Sequence, residues 1–125
     1  MGITAATILV VEDDPSLRML CRVNLELEGY RVVEASTIGR AEEHLRAQAV
    51  DVVLLDLHVG ERHGLELMPL LRETYPRTRV CLLSGTSEVD PPRTEGVGAF
   101  IRKPFDLDVL SRTVRTLAAG ELATP

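Results

Sequence analysis

Two apolar runs in this chain stop abruptly at acids: Thr7-Ile8-Leu9-Val10-Val11 at Glu12-Asp13-Asp14, and Val52-Val53-Leu54-Leu55 at Asp56. Neither run alternates with polar residues. Runs of β-branched and leucine residues without alternation read as strands buried on both faces, which means a parallel sheet covered by helices. Open sheets of that kind bind ligands at the carboxyl ends of their strands. The acids are therefore placed where a hard cation or a phosphoryl group would bind.

The rest of the chain keeps the same rhythm. Asp14 and Pro15 open a helix, the aspartate as cap and the proline in the first turn, and it runs to about Glu28, where Gly29 supplies the stop. Arg31 to Ala35 reads as a second strand, followed by a helix near Gly39 to Ala47. Val52 to Leu55 is the third strand, and a glycine-bearing loop leads to a helix from Gly64 that ends before Pro76. Arg79 to Leu83 and Gly98 to Ile101 supply strands four and five. After Asp106, Leu107, Leu110, Val114 and Leu117 form one apolar helical stripe. Alternating strands and helices predict an α/β fold: a doubly wound, five-stranded parallel sheet with helices on both faces. One segment breaks the pattern, because Ser87 to Arg93 carries Pro91-Pro92 where the fourth helix belongs. A short or irregular element is expected there.

At 125 residues the chain reads as one domain over 1–125, with a core of about 6–119. Aromatics make up only 3% of residues against 45% hydrophobic, so the core must be aliphatic. Cys21 and Cys81 show no CxxC spacing and read as reduced core thiols. No charged-then-apolar leader opens the chain and no apolar run spans a membrane, which together predict a cytoplasmic protein. A net charge of −5 with interspersed signs offers no stripe for nucleic acid.

The residues that close the strands carry the chemistry: Glu12 and Asp13, then Asp56, then Ser84, then Lys103-Pro104. Lys103 is the one lysine among fourteen Lys and Arg residues. An ammonium reaches a single oxygen in a tight cleft, whereas guanidinium is a planar fork. Clustered carboxylates repel unless a cation joins them, and Mg²⁺ commonly links one or two carboxylates to phosphate oxygens. Asp13 and Asp56 fit as direct ligands and Glu12 as holder of a bound water, with Mn²⁺ the alternative ion. Asp14 is explained by its cap position.

Val11-Glu12-Asp13-Asp14-Pro15, Val53-Leu54-Leu55-Asp56-Leu57, Leu83-Ser84-Gly85 and Lys103-Pro104-Phe105 resemble the receiver domains of bacterial two-component response regulators, the CheY-like superfamily. The resemblance implies a flavodoxin-like strand order 2-1-3-4-5, and that Asp56 accepts a phosphoryl group from a sensor histidine kinase or a phosphotransfer protein. It also implies that the His58 carbonyl completes the metal ligands. Ser84 and Lys103 would hold phosphoryl oxygens, with the Gly85 amide assisting. The Lys103-Pro104 peptide is typically cis in similar domains. Ser84 and Phe100 would read out the switch by repacking a surface for an output partner still to be named, while His58 and Thr86 would tune the phosphoryl lifetime. Such a domain is not a dedicated enzyme: it catalyses its own phosphoryl transfer and slow autodephosphorylation.

Departures from the family pattern are local. Val59-Gly60 replaces a usual Met-Pro pair, His63 stands where a small polar residue commonly precedes glycine, and Gly60 and Gly64 should loosen that loop. The span from Ser84 to Lys103 is short by roughly one helical turn, and the helix it shortens normally contributes an output surface. A kinase-facing region remains around Pro15, Leu17, Leu20 and Pro104-Phe105, where Leu17 reads equally as core. Two other functional classes stay open. One is a receiver-like module that binds without phosphorylation. The other is a haloacid-dehalogenase-like phosphatase, which would want an acid where this chain has His58. A zinc site at His58 and His63 lacks further ligands.

Overall fold

The computed structural model describes residues 5–85 and 95–120. In chain order these form β1 (Thr7–Val11), α1 (Pro15–Leu27), β2 (Arg31–Ala35), α2 (Ile38–Ala47) and β3 (Val52–Asp56). A two-stranded hairpin of β4 (His58–Val59) and β5 (Arg62–His63) follows, then a 3₁₀ turn (Gly64–Leu67) and α3 (Met68–Thr74). The remaining elements are β6 (Arg79–Ser84), β7 (Val97–Arg102) and α4 (Leu107–Ala118). The main sheet is five-stranded in the order β2-β1-β3-β6-β7, and every neighbouring pair in it is parallel. With the hairpin set aside, this is the expected 2-1-3-4-5 order.

The lack of alternation in the central strands has a direct cause. Ile8 and Val10 face one side of the sheet and pack with Val52, Leu54, Cys81 and Leu83 against Cys21 and Leu25 of α1 and Leu110, Val114 and Leu117 of α4. Leu9 and Val11 face the other side, with Val53, Leu55 and Leu82 against Ile38, Ala41 and Leu45 of α2 and Met68 and Leu71 of α3. Every second residue therefore meets a helix layer, and its neighbours meet the opposite one. Both cysteines are free and buried in the first of these layers.

The first helix begins as its sequence dictates. Asp14 Oδ1 accepts hydrogen bonds from the amides of Ser16 at 2.9 Å and Leu17 at 3.5 Å, satisfying donors that the first turn leaves unpaired. Its end is closed by a Schellman pair, the Gly29 amide to the Glu26 carbonyl at 3.0 Å and the Tyr30 amide to the Leu25 carbonyl at 3.2 Å. By contrast, Asp106 precedes α4 without a side-chain capping bond.

Three local expectations differ from what is observed. The loop after Asp56 is the β4/β5 hairpin, joined by Gly60 and Glu61. Gly60 has φ +63°, and no other residue type has positive φ, the pattern of a type II′ turn. The following helix opens as a 3₁₀ turn, because His63 Nδ1 accepts from the Leu65 amide at 3.1 Å and Glu66 accepts the His63 amide at 3.1 Å. Gly64 does not loosen this segment either. It is buried, and a Cβ there would collide with the Asp56 carbonyl, so glycine is what lets the chain pass close beneath the strand end. The Pro91-Pro92 segment and Thr86 lie outside the described residues. Among the described residues, no helix is long and apolar enough to cross a membrane.

Candidate functional site

Four parallel strands deliver their carboxyl ends to one edge of the sheet, and the polar residues gather there. Glu12 extends β1 by one residue, its amide bonded to the Ala35 carbonyl at 3.0 Å. Asp56 and Ser84 are the last residues of β3 and β6 rather than the first beyond them. Lys103 directly follows β7, its amide donating to the Ser84 carbonyl at 2.6 Å, and its peptide bond to Pro104 is cis.

Lys103 is the hub. Its Nζ lies 2.7 Å from Glu12 Oε1 and 2.9 Å from Asp56 Oδ2, so one ammonium bridges two buried carboxylates. Burial alone lowers the Lys103 pKa, but the hydrogen bonds it donates to Asp56 and Glu12 outweigh it and hold the ammonium above its ordinary value. Glu12 goes the other way: burial pushes its carboxyl up to about 7, against the opposing pull of Lys103.

Asp13 is exposed, and its Oδ2 accepts the Gly60 amide at 2.9 Å. That bond is the main reason its carboxyl sits below the usual aspartate value. Glu12, Asp13 and Asp56 each present an oxygen within 4.8 Å of the others. An all-oxygen, three-carboxylate set of this size fits a hard divalent cation such as Mg²⁺, and Lys103 offsets the remaining negative charge.

The other predicted residues take these positions. The His58 amide donates to Asp56 Oδ1 at 3.3 Å, and the His58 ring meets that of His63 edge to face at 5.4 Å. Since His63 Nδ1 is engaged in its cap, the two rings do not form a ready zinc pair. Among the described residues, the metal-ligand group is the carboxylate trio. Ser84 is fully buried at the same edge, its hydroxyl donating to the Gly85 carbonyl at 3.2 Å. Phe100 is half-buried against the α2/α3 side of the core, with the Arg102 guanidinium 5.8 Å from its ring centroid. Leu17 packs on the α1/α4 side of the core.

Two contributors escaped the sequence reading. Arg18 Nη1 donates to the Glu12 carbonyl at 2.8 Å while its Nε binds Glu34 Oε1 at 3.2 Å, and Arg22 Nε takes the other Glu34 oxygen at 3.0 Å. The signal available was helical spacing: Arg18 stands one turn beyond Asp14, whose carbonyl accepts the Arg18 amide at 3.0 Å, so its side chain starts beside the strand end. The second is the Gly60 amide, a backbone group whose only trace in the sequence is a glycine where proline was expected.

Residues 8–115 match the response regulator receiver domain family. The chain is 39% identical over 118 residues to the alginate biosynthesis transcriptional regulatory protein AlgB of Pseudomonas aeruginosa, a match covering 92% of this chain and 25% of that protein. It is 34% identical over 113 residues to the CAI-1 autoinducer sensor kinase/phosphatase CqsS of Vibrio cholerae, covering 86% of this chain and 16% of that protein. Across such curated relatives the chain spans between 16% and 55% of their length. Among solved structures, the response regulator TrrA of Thermotoga maritima in complex with Mg(2+)-BeF superposes with a TM-score of 0.80 at 26% identity, covering 90% of this chain and 98% of that one. The receiver domain of a LuxO repressor protein from Vibrio parahaemolyticus shares the fold, with a TM-score of 0.85 at 22% identity over 93% of this chain and 92% of that one. With the family model matched over nearly its whole length, the chain belongs to the response regulator receiver domains of two-component signalling.

Proposed function

We propose that this chain is a phosphoacceptor switch in which Asp56 takes a phosphoryl group from a histidine kinase or phosphotransfer protein in a Mg²⁺-dependent reaction. The observation that carries this reading is the Lys103 ammonium bridging Asp56 and Glu12 beside Asp13. The Asp56 carboxylate attacks phosphorus in line, forming an acyl phosphate as the bond to the donor nitrogen breaks. A carboxylate nucleophile needs no general base. Lys103 would exchange a carboxylate oxygen for an equatorial phosphoryl oxygen, and Ser84, at the end of the neighbouring strand, and the Gly85 amide would hold others. Mg²⁺ at Glu12, Asp13, Asp56 and the His58 carbonyl would supply charge neutralisation to the transferring group. Hydrolysis of the acyl phosphate resets the switch, at a rate that His58 and Thr86 would tune.

Readout runs through Ser84 and Phe100 toward an output partner. The reading carries with it a cytoplasmic setting, where kinase and receiver meet. A dehalogenase-like phosphatase is disfavoured by His58 in the place of its second acid. The test is incubation with acetyl phosphate, or with beryllofluoride as a mimic, with and without Mg²⁺, alongside Asp56→Asn. The expected result is a modification that requires both Mg²⁺ and Asp56. A chain left unmodified under all conditions would be a binding-only module.

A further inference from the structure

The hairpin after Asp56 does more than connect β3 to α3. Its tip reaches back across the site: the Gly60 amide donates to Asp13 Oδ2 at 2.9 Å, across a sequence separation of 47 residues. Asp13 is an exposed carboxylate at the mouth of the trio with two side-chain torsions to fix, and of the groups that hold it, Glu12 and its own amide among them, Gly60 has the largest effect. A carboxylate has about four lone-pair sites, so one bond from an amide fixes its orientation and leaves the others for a cation.

Conformation, not room, is what glycine supplies here. Gly60 has φ +63°, yet a Cβ built on it meets nothing within 4 Å. Any residue with an N–H that can adopt the positive φ of this turn keeps the donor in place. Proline, the residue that the family pattern favours at this position, cannot do so. Its φ is fixed near roughly −65° and it has no N–H.

We infer that Gly60 is a positioning residue for the cation pocket: its amide orients Asp13, and cation binding and closure of the β4/β5 hairpin therefore favour each other. This rests on the reading of Glu12, Asp13 and Asp56 as a Mg²⁺ site. Two effects of the bond oppose one another. Accepting an N–H draws charge from Asp13 and weakens its pull on a cation, whereas ordering the carboxylate in advance removes a cost that binding would otherwise bear. For a side chain as exposed as Asp13 the ordering effect is taken as the larger, and the sign of the affinity change tests it. Because coupling between two binding events is reciprocal, whatever the bond adds to Mg²⁺ affinity, Mg²⁺ must add to the bond.

Isothermal titration of Mg²⁺ into the unaltered chain, Gly60→Pro and Gly60→Asn tests this, together with hydrogen exchange at the Gly60 amide of the unaltered chain at fixed pH. A net hydrogen bond of ordinary strength predicts that Gly60→Pro weakens Mg²⁺ binding about threefold to tenfold. Gly60→Asn, which keeps the N–H and bears positive φ better than most side chains, loses clearly less affinity than Gly60→Pro. Saturating Mg²⁺ slows exchange at Gly60 in the unaltered chain by a factor like that lost in Gly60→Pro. Equal or tighter binding by a folded Gly60→Pro overturns the inference, as does Gly60 exchange indifferent to Mg²⁺. The exchange measurement decides the matter even if Gly60→Pro does not fold. An unaltered chain that binds no Mg²⁺ overturns the metal reading itself, and the inference with it.

Discussion

Glu12 makes the cost of this site measurable in the metal-free chain. Burial raises its folded pKa from 4.5 to about 7. Below the lower value the carboxyl is protonated whether the chain is folded or not. Between the two values the unfolded chain releases the proton and the folded chain keeps it, so folding stability falls as pH rises through this window and levels off above it. Asp13, shifted down from 3.8, and Lys103, shifted up from 10.5, titrate outside this window. Thermal unfolding without divalent cation should therefore show a melting temperature that declines between about pH 4.5 and pH 7. Glu12→Gln should flatten most of that decline. Adding Mg²⁺ should restore stability at the high-pH end, where the cation favours the ionised form. An identical decline in Glu12→Gln would remove Glu12 as its source.

At the scale of elements, α1 carries two jobs on two faces. Its buried face, with Cys21 and Leu25, packs on the sheet, and Asn24 Nδ2 donates to Ser111 Oγ of α4 at 3.0 Å. Its outer face exposes Met19, Leu20, Val23 and Leu27 at 54, 48, 43 and 83%. These are the large hydrophobic residues left exposed among the described residues, and they run along the helix away from the acid pocket. Arg18 and Arg22 clamp the same helix to Glu34 of β2. On the proposed reading, an apolar face on the helix that follows Asp13 and Asp14 suits the helical surface of a phosphodonor protein. Leu20→Glu and Val23→Glu should each slow transfer from a phosphorylated histidine-kinase core about tenfold, the loss typical of one interface anchor. Acetyl phosphate, too small to need the ridge, should phosphorylate both variants at the unaltered rate. Equal slowing with both donors would mean that the substitutions disturb the pocket rather than the docking surface.

Over the whole molecule, what was legible in the sequence and what was not divide along physical lines. The sheet was legible because burial on both faces erases alternation, and because Asp14, Gly29 and the stripe from Leu107 to Leu117 mark helix limits through side-chain chemistry. The cluster of Glu12, Asp13, Asp56 and Lys103 followed from strand order alone. The β4/β5 hairpin was not legible, since two-residue strands carry no period, and the Gly60 bond was not, since a backbone amide has no letter of its own. His63 and Gly64 looked like irregularities until the cap and the passage beneath Asp56 accounted for them. The same two-faced burial makes a global prediction. Tyr30 packs on the α1/α4 side of the core and Tyr75 on the α2/α3 side, and with two tyrosines and no tryptophan the chain offers one native probe per face. Central strands shared by both layers should couple them into a single cooperative unit, as in most domains below about 150 residues. Tyr30→Phe and Tyr75→Phe each leave one tyrosine, and each variant should show the same urea midpoint by fluorescence as by far-ultraviolet circular dichroism. In both backgrounds Leu54→Ala, which hollows only the α1/α4 side, should cost about 2–5 kcal/mol. It should move the Tyr75 signal as far as the Tyr30 signal, and a transition confined to Tyr30 would mean that the two faces of the sheet unfold independently.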